Sequence, residues 1–272
     1  MEGEKLNNIN NSNLDKLKEK KLFILDMDGT FYLGNRILDG SLDFIEKLRK
    51  TGRDFLFFTN NASRTSEFYI KKLAGMGCEI TAKNIATAGD VTIEFLLENY
   101  PGKSVYLVGT PLLEEEFERK GIKLVQENPD IVVVSFDLTL TYEKLSKACT
   151  FIRNGSEFIA THMDINCPTE DGFIPDCGSI CAAITTSTGR KPRYLGKPFK
   201  ETIEMIERIT GHRKEDMAII GDRLYTDIAT GFNNGVTSIL VLTGETKVED
   251  LKDSHIKPDY VFSSLKSIIE WL

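Results

Sequence analysis

Two carboxylates near the beginning of the chain are spaced so that they could share a cation. Asp26 and Asp28 follow an apolar run at residues 21–25, within the sequence DMDGT. Side chains two residues apart in an extended chain point the same way, and like charges held that close are unfavourable without a cation. A bound Mg²⁺ would relieve the repulsion. Taken alone, the pair is equally typical of a turn that follows a strand.

A polar group and a lysine come after two later apolar runs. Thr59, Asn60 and Asn61 follow residues 54–58, and their hydroxyl and amide groups can donate hydrogen bonds to phosphate oxygens. Lys197 lies in a Gly-Lys-Pro turn, where a fixed cation would stabilise the negative charge of a phosphoryl transition state. Thr and Asn are common in turns and most lysines are solvated, so neither group alone identifies a phosphate site.

A further pair of acids forms the last of these polar motifs along the chain. Asp222 follows the apolar run at residues 217–220, and Asp227 opens the helix predicted after it, within GDRLYTD. Hard carboxylate oxygens of this kind suit Mg²⁺. An acid in the first turn of a helix also complements the helix dipole, which is the other interpretation of Asp227.

The elements that must position these residues alternate along the chain. Continuous apolar runs rich in β-branched and aromatic residues predict strands buried on both faces, at residues 21–25, 54–58, 105–108, 131–134, 217–220 and 239–242. Helical spacing of apolar residues follows at 41–48, 142–152, 179–186 and 201–209. Such alternation predicts parallel sheets with right-handed crossovers, in which ligands bind at the carboxyl ends of the strands.

Two Pro- and Gly-containing breaks divide the chain. They lie at residues 99–103 and 188–192 and are typical of linkers. We therefore expect a flexible leader at 1–20, a core domain formed by 21–100 and 192–272, and a smaller domain at 101–191.

Composition excludes several classes of protein. The formal net charge of -7 over 272 residues argues against a general nucleic-acid binder, because phosphate backbones are held mainly by Lys and Arg. Five cysteines without a CxxC pair indicate reduced thiols. No apolar run is long enough to cross a bilayer and the leader lacks a secretory pattern, so we expect no membrane association and a cytoplasmic location.

The four polar motifs together resemble those of the haloacid dehalogenase (HAD) superfamily of phosphohydrolases. DMDGT, FFTNN, GKP and GDRLYTD match its signatures in order. The long insertion between the second and third motifs is similar to a type-C2 cap, and the chain resembles subfamily IIA, which includes the NagD-like, p-nitrophenyl and phosphoglycolate phosphatases. The resemblance implies an α/β fold: a Rossmann-like core with a parallel sheet and an inserted smaller α/β cap domain.

The resemblance and the chemistry together imply a phosphatase mechanism. Asp26 would be the nucleophile, and Asp28 would protonate the leaving oxygen and then activate water. Mg²⁺ would be held by the carboxylates of Asp26 and Asp222 and by the backbone carbonyl of Asp28, with Asp227 orienting Asp222 or a metal-bound water. If Asp26 and Asp222 lay too far apart to share an ion, with Lys197 pointing elsewhere, this interpretation would fail.

The phosphate-binding residues and the substrate are implied in the same way. Thr59, Asn60 and Asn61 would hold phosphoryl oxygens, and Lys197 would neutralise the phosphoryl group and the nucleophile. The partner would be a small phosphorylated metabolite, such as a sugar phosphate or a nucleotide, and cap-to-cap homodimers occur in this subfamily.

Three residues of the predicted cap have two interpretations. His162, Asp164 and Asp176 lie in apparent loops beside apolar runs. They either bind hydroxyl groups of the substrate or stabilise the loops as Asx-type residues do.

Three other classes of protein share some of these features. A phosphorelay receiver domain also uses a strand-end Asp and Mg²⁺, but it is much shorter and arranges its acids differently. A non-catalytic binding protein would not require four intact motifs, and a phosphomutase usually carries its cap between the first and second motifs.

Overall fold

The structure is a computed structural model, and it describes residues 14–169 and 172–272. Residues 1–13 of the predicted leader lie outside the described residues. The α-helices are α1 Asp15–Lys18, α2 Ser41–Lys50, α3 Ser66–Gly75, α4 Ala88–Asn99, α5 Pro111–Arg119, α6 Tyr142–Arg153, α7 Cys177–Thr188, α8 Lys200–Thr210, α9 Ala229–Asn234 and α10 Asp250–Asp253. The strands are β1 Leu22–Leu25, β2 Tyr32–Leu33, β3 Arg36–Ile37, β4 Asp54–Thr59, β5 Ile85–Thr87, β6 Ser104–Val108, β7 Lys123–Leu124, β8 Ile131–Val134, β9 Glu157–Ala160, β10 Asn166–Thr169, β11 Gly172–Pro175, β12 Arg193–Tyr194, β13 Met217–Gly221, β14 Thr237–Val241 and β15 Tyr260–Phe262.

The first compact unit is built on a six-stranded sheet with the order β15-β14-β13-β1-β4-β5. β1 pairs in parallel with β13 on one side and with β4 on the other. Every residue of β1 and β13 is buried, as expected for strands covered on both faces. Chain order changes direction between β1 and β13, which is where an open α/β sheet forms its ligand-binding crevice.

Helices with one apolar face cover this sheet. In α2, Phe44, Ile45 and Leu48 are buried, and the ring of Phe44 meets that of Phe23 in β1 edge to face at a centroid distance of 5.9 Å. In α8, Ile203 and Ile206 are buried on the same helical spacing. The contact between Phe44 and Phe23 helps to hold β1 in place beneath the residues that follow it.

The second compact unit has its own five-stranded sheet, with the order β12-β9-β8-β6-β7. Its registered pairs are parallel, and β10 and β11 form a separate antiparallel hairpin. β6, β8, α6 and α7 contribute to a continuous buried cluster between sheet and helices. Two parallel α/β units confirm the predicted fold class.

Contacts divide the chain differently from the expected domain limits. Of the described residues, the first unit contains 14–58, 70–86 and 197–272, and the second contains 59–69, 87–169 and 172–196. Helix α4 belongs to the second unit, since a Cβ on Gly89 would lie 3.0 Å from Leu113 and Arg193 stacks over the ring of Phe95 at 4.4 Å. Among the described residues, no helix is long and apolar enough to span a membrane.

Candidate active site

The first carboxylate is positioned directly by the sheet. Asp26 follows β1, and its backbone N–H donates to the carbonyl of Ile220 in β13 at 2.9 Å. The register places Leu25 opposite Ile220, so the chain remains extended as it delivers Asp26 beyond the carboxyl end of β1. The nucleophile predicted from the sequence therefore lies at the centre of the sheet, where the strand order reverses.

A buried lysine joins two of the acids. Lys197 is 2% exposed, and its Nζ lies 2.5 Å from Oδ1 of Asp26 and 2.6 Å from Oδ1 of Asp227. The ammonium also donates to the carbonyl of Phe58 at 3.3 Å. Burial alone would lower the pKa of Lys197, but Asp227 and Asp26 outweigh it and raise that pKa, so Lys197 is a fixed cation at neutral pH.

Asp222 is held by donors from two other parts of the chain. Oδ1 accepts from the hydroxyl of Thr30 at 3.1 Å, and Oδ2 accepts from the backbone N–H of Glu245 at 2.8 Å. Gly29 and Gly244 pack against this carboxylate so closely that a Cβ on either residue would collide with it. Gly29 also has φ of +88°, which disfavours any side chain there. Gly29 of the DMDGT motif is thus required both by the turn and by the Asp222 carboxylate that packs against it.

Asp227 lies in a five-residue π-helical segment, Leu224–Ile228, that precedes α9. Its Oδ2 accepts from the backbone N–H of Arg223 at 3.1 Å, while its Oδ1 contacts Lys197. Both oxygens are thereby oriented by the protein. This arrangement goes beyond the helix-dipole interpretation, because Asp227 is an ion-pair partner of the lysine.

The three acids are close enough to hold one cation. Carboxylate oxygens of Asp26, Asp222 and Asp227 all lie within 4.8 Å of one another. Burial raises the pKa of Asp26 to about 7, with Lys197 opposing the shift and Asp227 and Asp222 adding to it. Burial and the charge of Asp227 likewise raise the pKa of Asp222 to about 6. Buried hard oxygens whose charges repel fit a divalent cation such as Mg²⁺.

Asp28 occupies a different environment from the three clustered acids. Its side chain is partly exposed, and burial raises its pKa, whereas Lys72, Arg223 and a hydrogen bond from the backbone of Gly34 lower it. A partly buried carboxyl group with a raised pKa retains its proton more readily than an exposed one. That property suits a general acid.

The Thr59-Asn60-Asn61 segment forms a compact turn at the start of the second unit. The hydroxyl of Thr59 accepts from the N–H of Asn61 at 3.1 Å. The side-chain oxygen of Asn61 in turn accepts from the backbone and hydroxyl of Ser63 at 3.1 and 2.7 Å. Asn61 therefore stabilises the turn, and Thr59 keeps its own O–H as a donor.

The three predicted cap residues meet in a buried network within the second unit. Nε2 of His162 lies 2.8 Å from Oδ1 of Asp176, and the side-chain nitrogen of Asn60 donates to both oxygens of Asp164 at 3.3 Å. Asp176 also accepts from the N–H of Cys177 and caps α7. These contacts favour the loop-stabilising interpretation that the sequence left open beside substrate binding.

His162 is completely buried in this network. Burial disfavours its charged form, but Cys177, Asp176 and Asp164 outweigh burial and raise the pKa of His162 to about 9. Ligand atoms of His162, Asp164 and Asp176 lie within 4.8 Å of one another, a spacing that a metal ion also permits. The hydrogen bond between the His162 ring and Asp176 accounts for part of this close spacing without a bound metal.

Comparison with known proteins identifies the family of this chain. Residues 23–123 match a family model described as haloacid dehalogenase-like hydrolase, and residues 194–268 match one described as HAD-hydrolase-like. A 5'-nucleotidase of Bacillus subtilis, YutF, is 36% identical over 256 residues, covering 94% of this chain and 99% of the relative. The chain belongs to the haloacid dehalogenase-like hydrolases.

Other members of the family are similarly close. The acid sugar phosphatase of Staphylococcus aureus (strain MRSA252) is 36% identical over 256 residues, covering 93% of this chain and 98% of the relative. The crystal structure of a 4-nitrophenylphosphatase from Thermotoga maritima superposes with a TM-score of 0.91 at 49% identity, covering 95% of this chain and 98% of the other. A structure described as a putative nagD protein has a TM-score of 0.88 at 45% identity, covering 93% and 98% of the two chains.

Sequence reasoning missed several residues that shape this hydrolase site. Thr30 was part of a recognised motif but had no assigned role, and Arg223 lies between two predicted ligands. The amide of Glu245 comes from the loop after β14, and Lys72 approaches Asp28 from α3. The rule that ligands gather after parallel strands would have indicated the loop containing Glu245. No local pattern marks Lys72.

Proposed function

We propose that this hydrolase cleaves small phosphomonoesters through a phosphoryl-enzyme intermediate on Asp26. The observation that carries the proposal is the buried Lys197 that bridges Asp26 and Asp227, with Asp222 within reach of the same cation. A carboxylate beyond the end of a central strand, beside a fixed positive charge, is arranged for attack on an anionic phosphate.

The reaction occurs in two displacements at phosphorus. A carboxylate oxygen of Asp26 forms a bond to phosphorus as the ester P–O bond breaks, and Asp28 gives its proton to the departing oxygen. The Asp28 carboxylate then takes a proton from water as the water oxygen attacks phosphorus. The bond between Asp26 and phosphorus breaks, inorganic phosphate leaves, and both residues return to their starting states.

The carboxylates of Asp26 and Asp222 and the backbone carbonyl of Asp28 would hold Mg²⁺, with Asp227 orienting the ligand set. When bound, Mg²⁺ neutralises negative charge so that an anionic nucleophile can approach an anionic phosphate. Lys197 orients Asp26 and offsets charge on the phosphoryl group. The raised pKa values of Asp26 and Asp222 support this proposal, because they reflect burial and mutual repulsion of the acids, which a bound cation would offset.

Phosphoryl oxygens would be held by the hydroxyl of Thr59 and the backbone amide of Asn60. Thr59 is the last residue of β4, the strand beside β1, and its hydroxyl accepts from Asn61, so its own proton can be donated to a ligand. Asn61 contributes by fixing the turn.

Nucleotides and sugar phosphates are the substrate classes we propose to test first. The supporting observation is that relatives matching over nearly their full length are named as a 5'-nucleotidase and as an acid sugar phosphatase. A panel of phosphorylated metabolites, ranked by kcat/KM with Mg²⁺ present, would identify the preferred class. The net charge of -7 supports a small ligand rather than a nucleic acid. Light scattering would test whether the protein forms a homodimer.

The nucleophile is tested by Asp26→Asn with p-nitrophenyl phosphate and Mg²⁺. We expect turnover to fall by at least about 10³-fold while the circular dichroism spectrum is unchanged, because the amide cannot form the phosphoryl-enzyme intermediate. Asp227→Asn is a useful comparison, since it should leave the nucleophile present and cause a smaller loss. Near-normal activity in Asp26→Asn would refute the assignment.

A further inference from the structure

Lys72 lies on the second half of α3, in the first compact unit, and its ammonium group is held in an unusual way. Nζ lies 4.0 Å from the centroid of the Tyr32 ring, well inside the distance at which a cation interacts with an aromatic face. Within residues 14–169 and 172–272, no carboxylate comes close enough to Lys72 to form an ion pair. The ring is therefore the nearest stabilising group for this charge.

This placement is not what an ordinary surface lysine adopts. Four methylene groups normally allow a lysine to cover apolar surface and still keep its ammonium in water. Here the side chain is partly buried, and burial lowers the pKa of Lys72 while the charge of Asp28 raises it. The charge of Asp28 therefore acts on this cation, in addition to the ring of Tyr32. The neighbouring Lys71 is exposed.

Tyr32 connects the cation to the backbone around Asp28. The ring is 2% exposed, and Tyr32 begins the short hairpin formed by β2 and β3. Its carbonyl accepts from the N–H of Gly29 at 2.8 Å, and its own N–H donates to the carbonyl of Met27 at 3.1 Å. The residues on either side of Asp28 are therefore both bonded to Tyr32.

The hairpin is also joined to Asp28 itself. Tyr32 forms an isolated β-bridge with Asp28, and Gly34, which follows β2 with φ of +59°, lowers the pKa of Asp28 through its backbone. The orientation of Asp28 thus depends on where the hairpin lies, and the position of the hairpin depends on how the Tyr32 ring is packed.

We propose that Lys72 is a positioning residue for Asp28, acting by holding the ring of Tyr32 and hence the β2–β3 hairpin in place. The inference rests on the proposed function, in which Asp28 donates a proton to the leaving oxygen. A Lys72 variant would keep the nucleophile and the lysine at 197, but it would present the acid in a less favourable orientation.

The test compares two leaving groups. An alkoxide needs protonation as it departs, whereas p-nitrophenolate leaves readily without it. We expect Lys72→Met to lower kcat/KM for glycerol 1-phosphate by about 10-fold or more and that for p-nitrophenyl phosphate by less than about 3-fold, because only the first reaction depends on the acid. Lys72→Arg, which keeps a cation over the ring, should restore most of the lost activity. Lys71→Met is the matched control and should behave as the parent enzyme.

Three further variants distinguish a failure of the proposed function from a failure of the inference about Lys72. Asp28→Asn should show the same leaving-group selectivity more strongly. If it shows none, the proposed role of Asp28 is wrong. If Asp28→Asn is selective but Lys72→Met loses both activities equally or neither, the inference about Lys72 is overturned. If Lys72→Met fails to fold, a comparison of Tyr32→Leu with Tyr32→Phe tests the same contact. Only Tyr32→Leu, which removes the aromatic ring, is expected to lose more activity with glycerol 1-phosphate than with p-nitrophenyl phosphate.

Discussion

At the scale of single residues, the site is defined as much by glycines as by acids. Asp222 is fixed by two donors, but its position also requires that Gly29 and Gly244 lack side chains. In the mechanism that we propose, displacing the Asp222 carboxylate by an ångström would change both metal binding and the approach of the nucleophile. Glycine at these positions is thus part of the functional geometry.

Gly244→Ala tests this requirement. Its Cβ would overlap the Asp222 carboxylate, so we expect kcat/KM to fall by at least about 10-fold and the free energy of unfolding to fall by about 1–3 kcal/mol. Gly75→Ala is the control, because a Cβ there meets nothing within 4 Å and Gly75 ends a helix. That variant should retain full activity and gain up to about 1 kcal/mol. Equal activity of the two variants would show that Asp222 can move without consequence.

Also at the scale of single residues, the sequence predicted those site residues whose side-chain type, at the end of an apolar strand, indicates a function. Asp26, Lys197, Asp222 and Asp227 could be found because acids and a lysine follow apolar strands, and the structure brings them together. The amide of Glu245 could not be found in this way, since every residue but proline has such an amide and only the backbone path aims it at Asp222.

At the scale of elements, long periodic segments were predictable and short ones were not. The central strands β1, β4, β8 and β13 were located to within a residue or two, because each is a continuous apolar run. The two-residue strands of the β2–β3 hairpin carry no periodicity, although this hairpin contacts Asp28. The sequence predicts only that Asp227 opens a helix, because the π-helical segment before α9 has no local signal for its wider turn.

The N-terminus of α7 provides an element-scale prediction about pH. Asp176 caps this helix and pairs with His162, whose pKa is raised from 6.5 to about 9. Because the folded state binds the proton more tightly, the stabilisation is fully present below pH 6.5 and is lost as pH rises through 9. We expect His162→Gln to cost about 1–3 kcal/mol near neutral pH and progressively less above the folded pKa.

Urea unfolding of the parent and of His162→Gln across this pH range measures the effect. His255→Gln is the control, because His255 is exposed and should show a difference near zero at every pH. A gap between parent and His162→Gln that stays constant or widens above pH 9 would contradict a protonated His162.

At the scale of the whole molecule, the chain is acidic, and so are most of the charged residues of the site. The chain carries 34 Lys and Arg against 41 Asp and Glu, so a phosphorylated ligand approaches a molecule of like sign. Lys197 and Arg223 provide local positive charge, and a divalent cation would add to it. All the proposed acid ligands of that cation belong to the first compact unit, which has its own sheet and core.

This distribution predicts that Mg²⁺ will stabilise the two units unequally. A ligand bound only by the folded state stabilises it by about 2.7 kcal/mol at a hundred times its Kd. We expect saturating Mg²⁺ to slow hydrogen exchange of amides in β1 and β13, while exchange in β8 and β9 of the second unit is unchanged. Asp222→Asn should abolish the slowing in β1 and β13. Equal slowing in both sheets would mean that the units unfold together, and slowing that persists in Asp222→Asn would mean that the cation binds elsewhere.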